Sequence, residues 1–457
     1  MAWEPSTDTR AATGASAPSP DAAARFSYLS EAGAAPFAPP SLAPAWERRP
    51  GGVGTAGVEG SGAARAAGPA APERPGTAPA GAGAARARRP NGSSATGAQG
   101  RDPFLDNAKF LLTVLVVMGH NWIPVVDAKT EGMPAVKAAF LLVYAIHMPG
   151  LVLLCGYLSR GFDGRPEQVR SLLGRILLPY LLFEAAYSGV YTLFWDQPFR
   201  FTPSVPRYLC WFLVALFLWR LSVPLWRAVR RPVAIAAAVS VLAGFTDLGG
   251  ELALPRVLML LPWFVLGLRL RPEHLRPLRN PAARRWALPV MVAGGAGAWW
   301  VAPRVSRHWL LMDAGSADLG VQPLVYAGMR IALFGVSAVL IAAFLALVPS
   351  RRTGFTALGA CTLYPFLLHG LLVKTVEGLG GYEPVKAGGA LAVAGTTVLA
   401  GLVAVLLCAP PVRRVLWPLV EPYRLRGLRL GIRRAAERDE RAPSGPGPAP
   451  RRAHNAG

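Results

Sequence analysis

Acidic side chains are scarce and cysteines scarcer: 26 Asp and Glu stand against 48 Lys and Arg, with four Cys among 457 residues. Cys155, Cys210, Cys361 and Cys408 lie inside or at the ends of apolar blocks. They form neither a CxxC metal pattern nor a disulfide framework, so no metal is expected. Charged residues make up 16% of the chain, against roughly 25% in soluble domains. That excludes an ordinary soluble protein. No internal repeat is visible, which weighs against inverted-repeat transporter folds. The net charge of +22 sits on no soluble basic module, so nucleic acid is not an expected partner. The arginines fall between apolar blocks, where lipid headgroups or a phosphorylated ligand would meet them.

What the chain does have is hydrophobic length. Ten blocks, at about 109–127, 137–158, 176–195, 208–226, 233–249, 252–270, 286–303, 323–348, 356–376 and 387–409, approach the roughly 20 residues a bilayer core requires. The expected fold is an all-α integral membrane bundle of about ten transmembrane helices, with disordered N-terminal and basic C-terminal tails. Residues 1–100 are rich in Ala, Pro, Gly and Ser and cannot bury enough apolar surface to offset their ordering entropy. They lack the apolar core of a signal peptide. Residues 101–410 form the membrane domain, and 411–457 a basic tail that either lies on the membrane as a helix or is solvated.

Alternate loops carry most of the arginine: Arg160, Arg165, Arg170 and Arg175, then Arg227, Arg230 and Arg231, then Arg269 to Arg285, then Arg351 and Arg352. By the positive-inside rule those loops and both termini face the cytoplasm of a multi-pass cell-membrane protein.

Within the first block, Lys109 and His120 are the ionisable residues of "KFLLTVLVVMGHNW". Eleven helical residues rise about 16 Å and make close to three turns, so both share one face, with His120 near mid-bilayer. Asp106 and Thr113 extend the line into a polar seam that must face protein or water. Snorkelling of Lys109 to the interface, and a structural bond from His120 to another helix, is the plainer reading.

The stretch "RDPFLDNAKFLLTVLVVMGH" resembles the first helix of the acyltransferase 3 family of membrane O-acyltransferases, especially its fucose 4-O-acetylase-like branch. The family signature is a basic residue, ten residues and then His, met by Lys109 and His120. "IHMPGLVLLCGY", "RILLPYLLFE", "WFLVALFLWRL", "LPWFVLGLRL" and "LGACTLYPFLLHG" are similar to later family elements in the same order. Cys155 stands where the family usually has Ser, and "GLVLL" replaces its phenylalanine-rich run.

The resemblance implies transfer of an acyl group, taken as acetyl, from cytoplasmic acyl-CoA to a carbohydrate or glycan hydroxyl. His120 is the expected general base, and an acyl-histidine intermediate is the other route. Lys109 would bind donor phosphate or stabilise the thioester oxygen. His147, in the segment like the family's HMP, and His369 are further catalytic candidates. Glu184, a carboxylate within an apolar block, needs a partner: Arg330 or a histidine that it orients. Arg160, Arg170 and Arg175 join Lys109 as donor-binding candidates. Trp211 and Tyr364 are expected to pack. His274, His308 and His454 are not site candidates. The alternative from another class is a transporter using the seam as a proton or substrate path.

Overall fold

The computed structural model describes residues 101–127 and 133–425. The expected disordered segment 1–100 and the end of the basic tail, from 426, lie outside the described residues. From Asp102 onward the described chain falls in one compact unit. It is all-helical, with no strand among the described residues.

In chain order the helices are α1 (Pro103–Asp127), α2 (Pro134–Leu158), α3 (Pro166–Leu172), α4 (Leu178–Phe194), α5 (Cys210–Leu221), α6 (Val223–Ala228), α7 (Pro232–Leu242), α8 (Leu254–Met259) and α9 (Leu261–Arg269). There follow α10 (Pro272–Arg279), α11 (Arg284–Val301), α12 (His308–Leu311), α13 (Pro323–Leu347), α14 (Leu363–Gly378), α15 (Glu383–Ala387), α16 (Gly389–Leu406) and α17 (Pro410–Val420). A π-turn over Leu173–Leu177 joins α3 to α4. Proline opens many of these helices. It does so because the first helical N–H has no partner to lose and the ring sets a helical φ.

About ten spans are not confirmed. Among the described residues five helices are long and apolar enough to cross a membrane: α1, α2, the α3–α4 unit, α13 and α16; the pair ending in α8 and α9, bent by 55°, would make a sixth. Helix α5 has 12 residues, about 18 Å of rise against a hydrocarbon core of about 30 Å. Apolar side chains of α13 and α16, such as Leu324, Ile331, Leu391 and Leu402, are exposed. An outward apolar face of that kind suits lipid.

Helix α2 is the centre of the bundle, with most of its residues buried. Its tightest neighbour is α9. A Cβ on Gly156 would lie 2.0 Å from the Phe264 carbonyl oxygen, and one on Gly267 would lie 2.1 Å from that of Leu153. Each glycine therefore admits the other helix's backbone.

At the base of α1, Asn107 Nδ2 donates to the carbonyls of Pro349 (2.8 Å) and Arg351 (3.0 Å), and its Oδ1 accepts from Thr356 at 2.7 Å. Arg279 pairs with Asp102 at 2.6 Å. These contacts bring the 270–285 and 349–356 arginine loops to the end of the bundle where α1 begins. Helix α17 continues past the membrane domain, and Tyr364 donates to Glu421 at 2.8 Å. So Tyr364 anchors the first part of the basic tail.

Candidate active site

The seam of α1 forms largely as its spacing predicts. Lys109 Nζ pairs with Asp106 at 2.8 Å, and the Thr113 hydroxyl donates to the Lys109 carbonyl at 2.8 Å. His120 Nδ1 lies 2.8 Å from the Val116 carbonyl. A carbonyl oxygen can only accept, so in the neutral ring Nδ1 carries the proton and Nε2 keeps a lone pair.

Two further histidines repeat that arrangement. His147 Nδ1 meets the Val143 carbonyl at 2.7 Å, and His369 Nδ1 meets the Pro365 carbonyl at 2.7 Å. Pro149 deprives Ala145 of its helical donor, whereas His147 bonds Val143, one turn before itself. All three imidazoles converge: the His120 ring centroid stands 5.1 Å from that of His369 and 6.2 Å from that of His147. Among the described residues no group of three or more His, Cys, Asp or Glu is placed to hold a metal ion.

Three tyrosines close around this centre, and none was singled out from the sequence. Tyr144 and Tyr208 lie 6.2 Å and 5.9 Å from the His120 ring, and Tyr187 lies 5.8 Å from Tyr208. The hydroxyls of all three are buried without a hydrogen-bond partner, as are the Nε2 atoms of His147 and His369. Each such group costs about 1–3 kcal/mol if it stays unpaired, and buried polar atoms are rarely left so. Five of them gather with His120 in one polar centre whose members lack hydrogen-bond partners within the protein. Tyr144 shares a face with His147 three residues on, a periodicity that could have flagged it. Tyr208 sits in a connecting segment that carries no such pattern.

Tyr208 also has a φ of +42°, a left-handed conformation costly for a bulky residue and held only where surrounding contacts impose it. The preceding residue supplies the hold. Glu184, on α4 and fully buried, accepts from the Arg207 backbone N–H at 2.9 Å and faces the Arg207 guanidinium at 3.5 Å. Arg207 also donates to the Arg200 carbonyl at 3.1 Å. Glu184 therefore pairs with neither Arg330 nor a histidine, because the segment before α5 folds back over α4 and fills its partner position. Arg330 is buried on α13 and directs its guanidinium to Met312 Sδ (2.6 Å), with the Trp309 and Met259 carbonyls and the Ser240 hydroxyl at 3.4 Å. Lys374, an ionisable residue within the apolar block 356–376 that was not singled out from the sequence, lies 5.0 Å from the Tyr208 and Trp195 rings and pairs with Glu377 at 2.9 Å.

The three arginines expected to bind the donor sit in different settings. Arg160 donates to the carbonyls of Tyr157 (2.9 Å) and Leu270 (3.1 Å). Arg170 is exposed on α3, and Arg175 on the π-turn lies over the Tyr423 ring at 4.9 Å. Trp211 packs as expected, within the core and 5.5 Å from the Arg256 guanidinium.

Comparison with known proteins adds a family. No curated protein and no solved structure matches the chain. A family described as an acyltransferase domain matches residues 102–411, two-thirds of the chain, including Lys109, His120, His147, Glu184 and His369 and every helix up to the start of α17. The chain belongs to the acyltransferase 3 family of membrane acyltransferases.

Proposed function

We propose that this acyltransferase moves an acetyl group from cytoplasmic acetyl-CoA to a carbohydrate or glycan hydroxyl, and that it sits in the cell membrane with both termini cytoplasmic. The observation that carries the reading is the polar centre at His120, where unpartnered tyrosine hydroxyls and imidazole lone pairs surround a base-ready Nε2. The resemblance of the first helix to the fucose 4-O-acetylase-like branch supports the choice of sugar and acetyl. The arginine-rich loops support the donor side.

In this scheme His120 Nε2 accepts the proton of the acceptor hydroxyl as its oxygen attacks the thioester carbonyl. A C–O bond forms, the C–S bond breaks, and the leaving thiolate takes the proton back from the imidazolium. Negative charge gathers on the carbonyl oxygen in between, and Tyr208 and Tyr144 supply hydroxyl donors to it. His147 and His369 present acceptors that orient the incoming hydroxyl. Glu184 positions Tyr208 through Arg207. Lys109 meets the donor at the start of the seam.

Purified protein given radiolabelled acetyl-CoA and a panel of glycans tests the proposal. Label on a glycan that requires His120 supports it. Vectorial movement of substrate with no labelled product would overturn it in favour of a transporter.

A further inference from the structure

A cavity of about 500 Å³ opens between the end of α2, α6, α9 and the start of α10, lined by Arg160, Trp226, Arg227, Arg269, Arg271 and His274 among others. Four guanidiniums and an imidazole on one small wall repel each other unless an anion joins them. Asp163 neutralises part of this charge, pairing with Arg227 at 2.5 Å and with Arg165 at 2.9 Å. Its carboxyl is held below the usual range by hydrogen bonds from Arg227 and Arg165, so it is fully ionised and already committed. Arg269 and Arg271 are exposed and make no ion pair among the described residues. His274 Nδ1 accepts from the Arg271 backbone N–H at 3.1 Å, so its other nitrogen carries a proton as a further donor. His274, which the sequence put aside, thus lines this cavity.

The walls are also prearranged. Arg160 is fixed by two backbone carbonyls and stacked at 3.8 Å over Tyr157, and Arg227 bonds the Arg160 carbonyl. From Arg160 a line of polar groups leads inward. Arg220 donates to the Ser159 hydroxyl at 3.1 Å, and Ser159 donates to the Cys155 carbonyl at 2.6 Å.

We propose that this cavity binds the phosphates of the donor's nucleotide end, with Arg269, Arg271 and His274 holding the pyrophosphate and 3′-phosphate of coenzyme A and Trp226 offering an indole wall to the adenine. The assignment rests on the acyl-CoA reading above. Guanidinium forks match phosphate oxygens two at a time, and several fixed forks suit a ligand with several phosphates. A lipid headgroup offers the same chemistry with fewer phosphates, so the experiment includes it.

The test uses the full chain in nanodiscs of neutral lipid, measuring dissociation constants for coenzyme A and 3′-dephospho-coenzyme A. Wild type is expected to prefer coenzyme A by about tenfold, one charge-assisted contact's worth. The double variant Arg269→Glu/Arg271→Glu, at exposed positions and checked for monodisperse elution, is expected to weaken coenzyme A at least about tenfold and to erase the preference. Arg269→Lys/Arg271→Lys should recover part of it. Unchanged coenzyme A affinity in the charge-reversed variant would overturn the assignment. So would loss of phosphatidylglycerol binding with coenzyme A binding intact, since the cavity would then hold a lipid headgroup. If wild type binds coenzyme A in this way but labels no acceptor, the function proposal fails and the cavity assignment stands. If acetyl transfer proceeds but the variants leave coenzyme A affinity unmoved, the reverse holds.

Discussion

His120 and His369 meet edge to face, 5.1 Å between ring centroids and 71° between planes, from helices at opposite ends of the membrane domain. Each ring spends its Nδ1 proton on a carbonyl one turn earlier in its own helix. Neither ring is therefore the other's hydrogen-bond partner through Nδ1, and both Nε2 atoms remain for substrate. His120→Ala is expected to lower kcat about a hundredfold or more with donor binding retained. Single-turnover and steady-state kinetics on monodisperse protein measure it, and wild-type kcat would sink the general-base role.

Lys109 should behave differently, because Asp106 holds it at the start of the seam. Lys109→Ala is expected chiefly to raise the acyl-CoA KM. Lys109→Arg should restore part of the loss, since phosphate asks for positive charge. A matched fall in folded yield with normal turnover would make the residue structural.

Tyr208→Phe removes only a hydroxyl that has no partner in the protein. Folded yield should be unchanged or slightly better. If the hydroxyl meets the thioester oxygen in the transition state, kcat falls by about 10²-fold, the range for one lost oxyanion donor. Unchanged kcat would remove Tyr208 from the chemistry.

Glu184 and Arg207 are both buried. Glu184→Gln leaves a guanidinium without its counter-charge, a loss of about 3–5 kcal/mol for a buried pair broken on one side. The thermal midpoint should fall, and Glu184→Gln/Arg207→Met should recover part of it. Activity should fall further than stability accounts for, because Arg207 precedes Tyr208. A double variant no better than the single would deny the pairing.

Gly267→Val should abolish folded protein, because its new side chain would start 2.1 Å from the Leu153 carbonyl oxygen on the neighbouring helix. Gly297→Ala, with nothing within 4 Å of the new methyl, should fold normally. Size-exclusion profiles of the two compare them directly.

Asp313, in the connection after α12, receives Arg256 at 2.9 Å and His308 at 3.1 Å. Burial alone would raise its pKa, but the His308 hydrogen bond and the charges of Arg256, His308 and Arg307 outweigh it and hold the carboxyl below the ordinary aspartate value. A depressed carboxyl stabilises the fold above its unfolded pKa and loses that contribution as pH falls through the folded one. Asp313→Asn should therefore lower the thermal midpoint at neutral pH. Its deficit should shrink only below the ordinary aspartate range, as read from melting curves across pH.

The amino-acid sequence by itself determined the membrane class, the family and the polar seam of α1, because each rests on local order. Apolar length marks a span, and an eleven-residue separation puts Lys109 and His120 on one face whatever packs beside them. The count of spans was less legible: composition does not say where a helix stops or bends, and the run at 252–270 is broken at Leu260 by 55°. Only the tertiary structure decided which side chains meet. Glu184 finds Arg207 rather than Arg330, Tyr208 reaches His120 from a connecting segment, and His274 joins Arg160 at one cavity. Such contacts cross between helices, and which helices become neighbours depends on packing features such as the mutual approach at Gly156 and Gly267. No periodicity along a single helix encodes that choice, since it belongs to the closed surface that two backbones share.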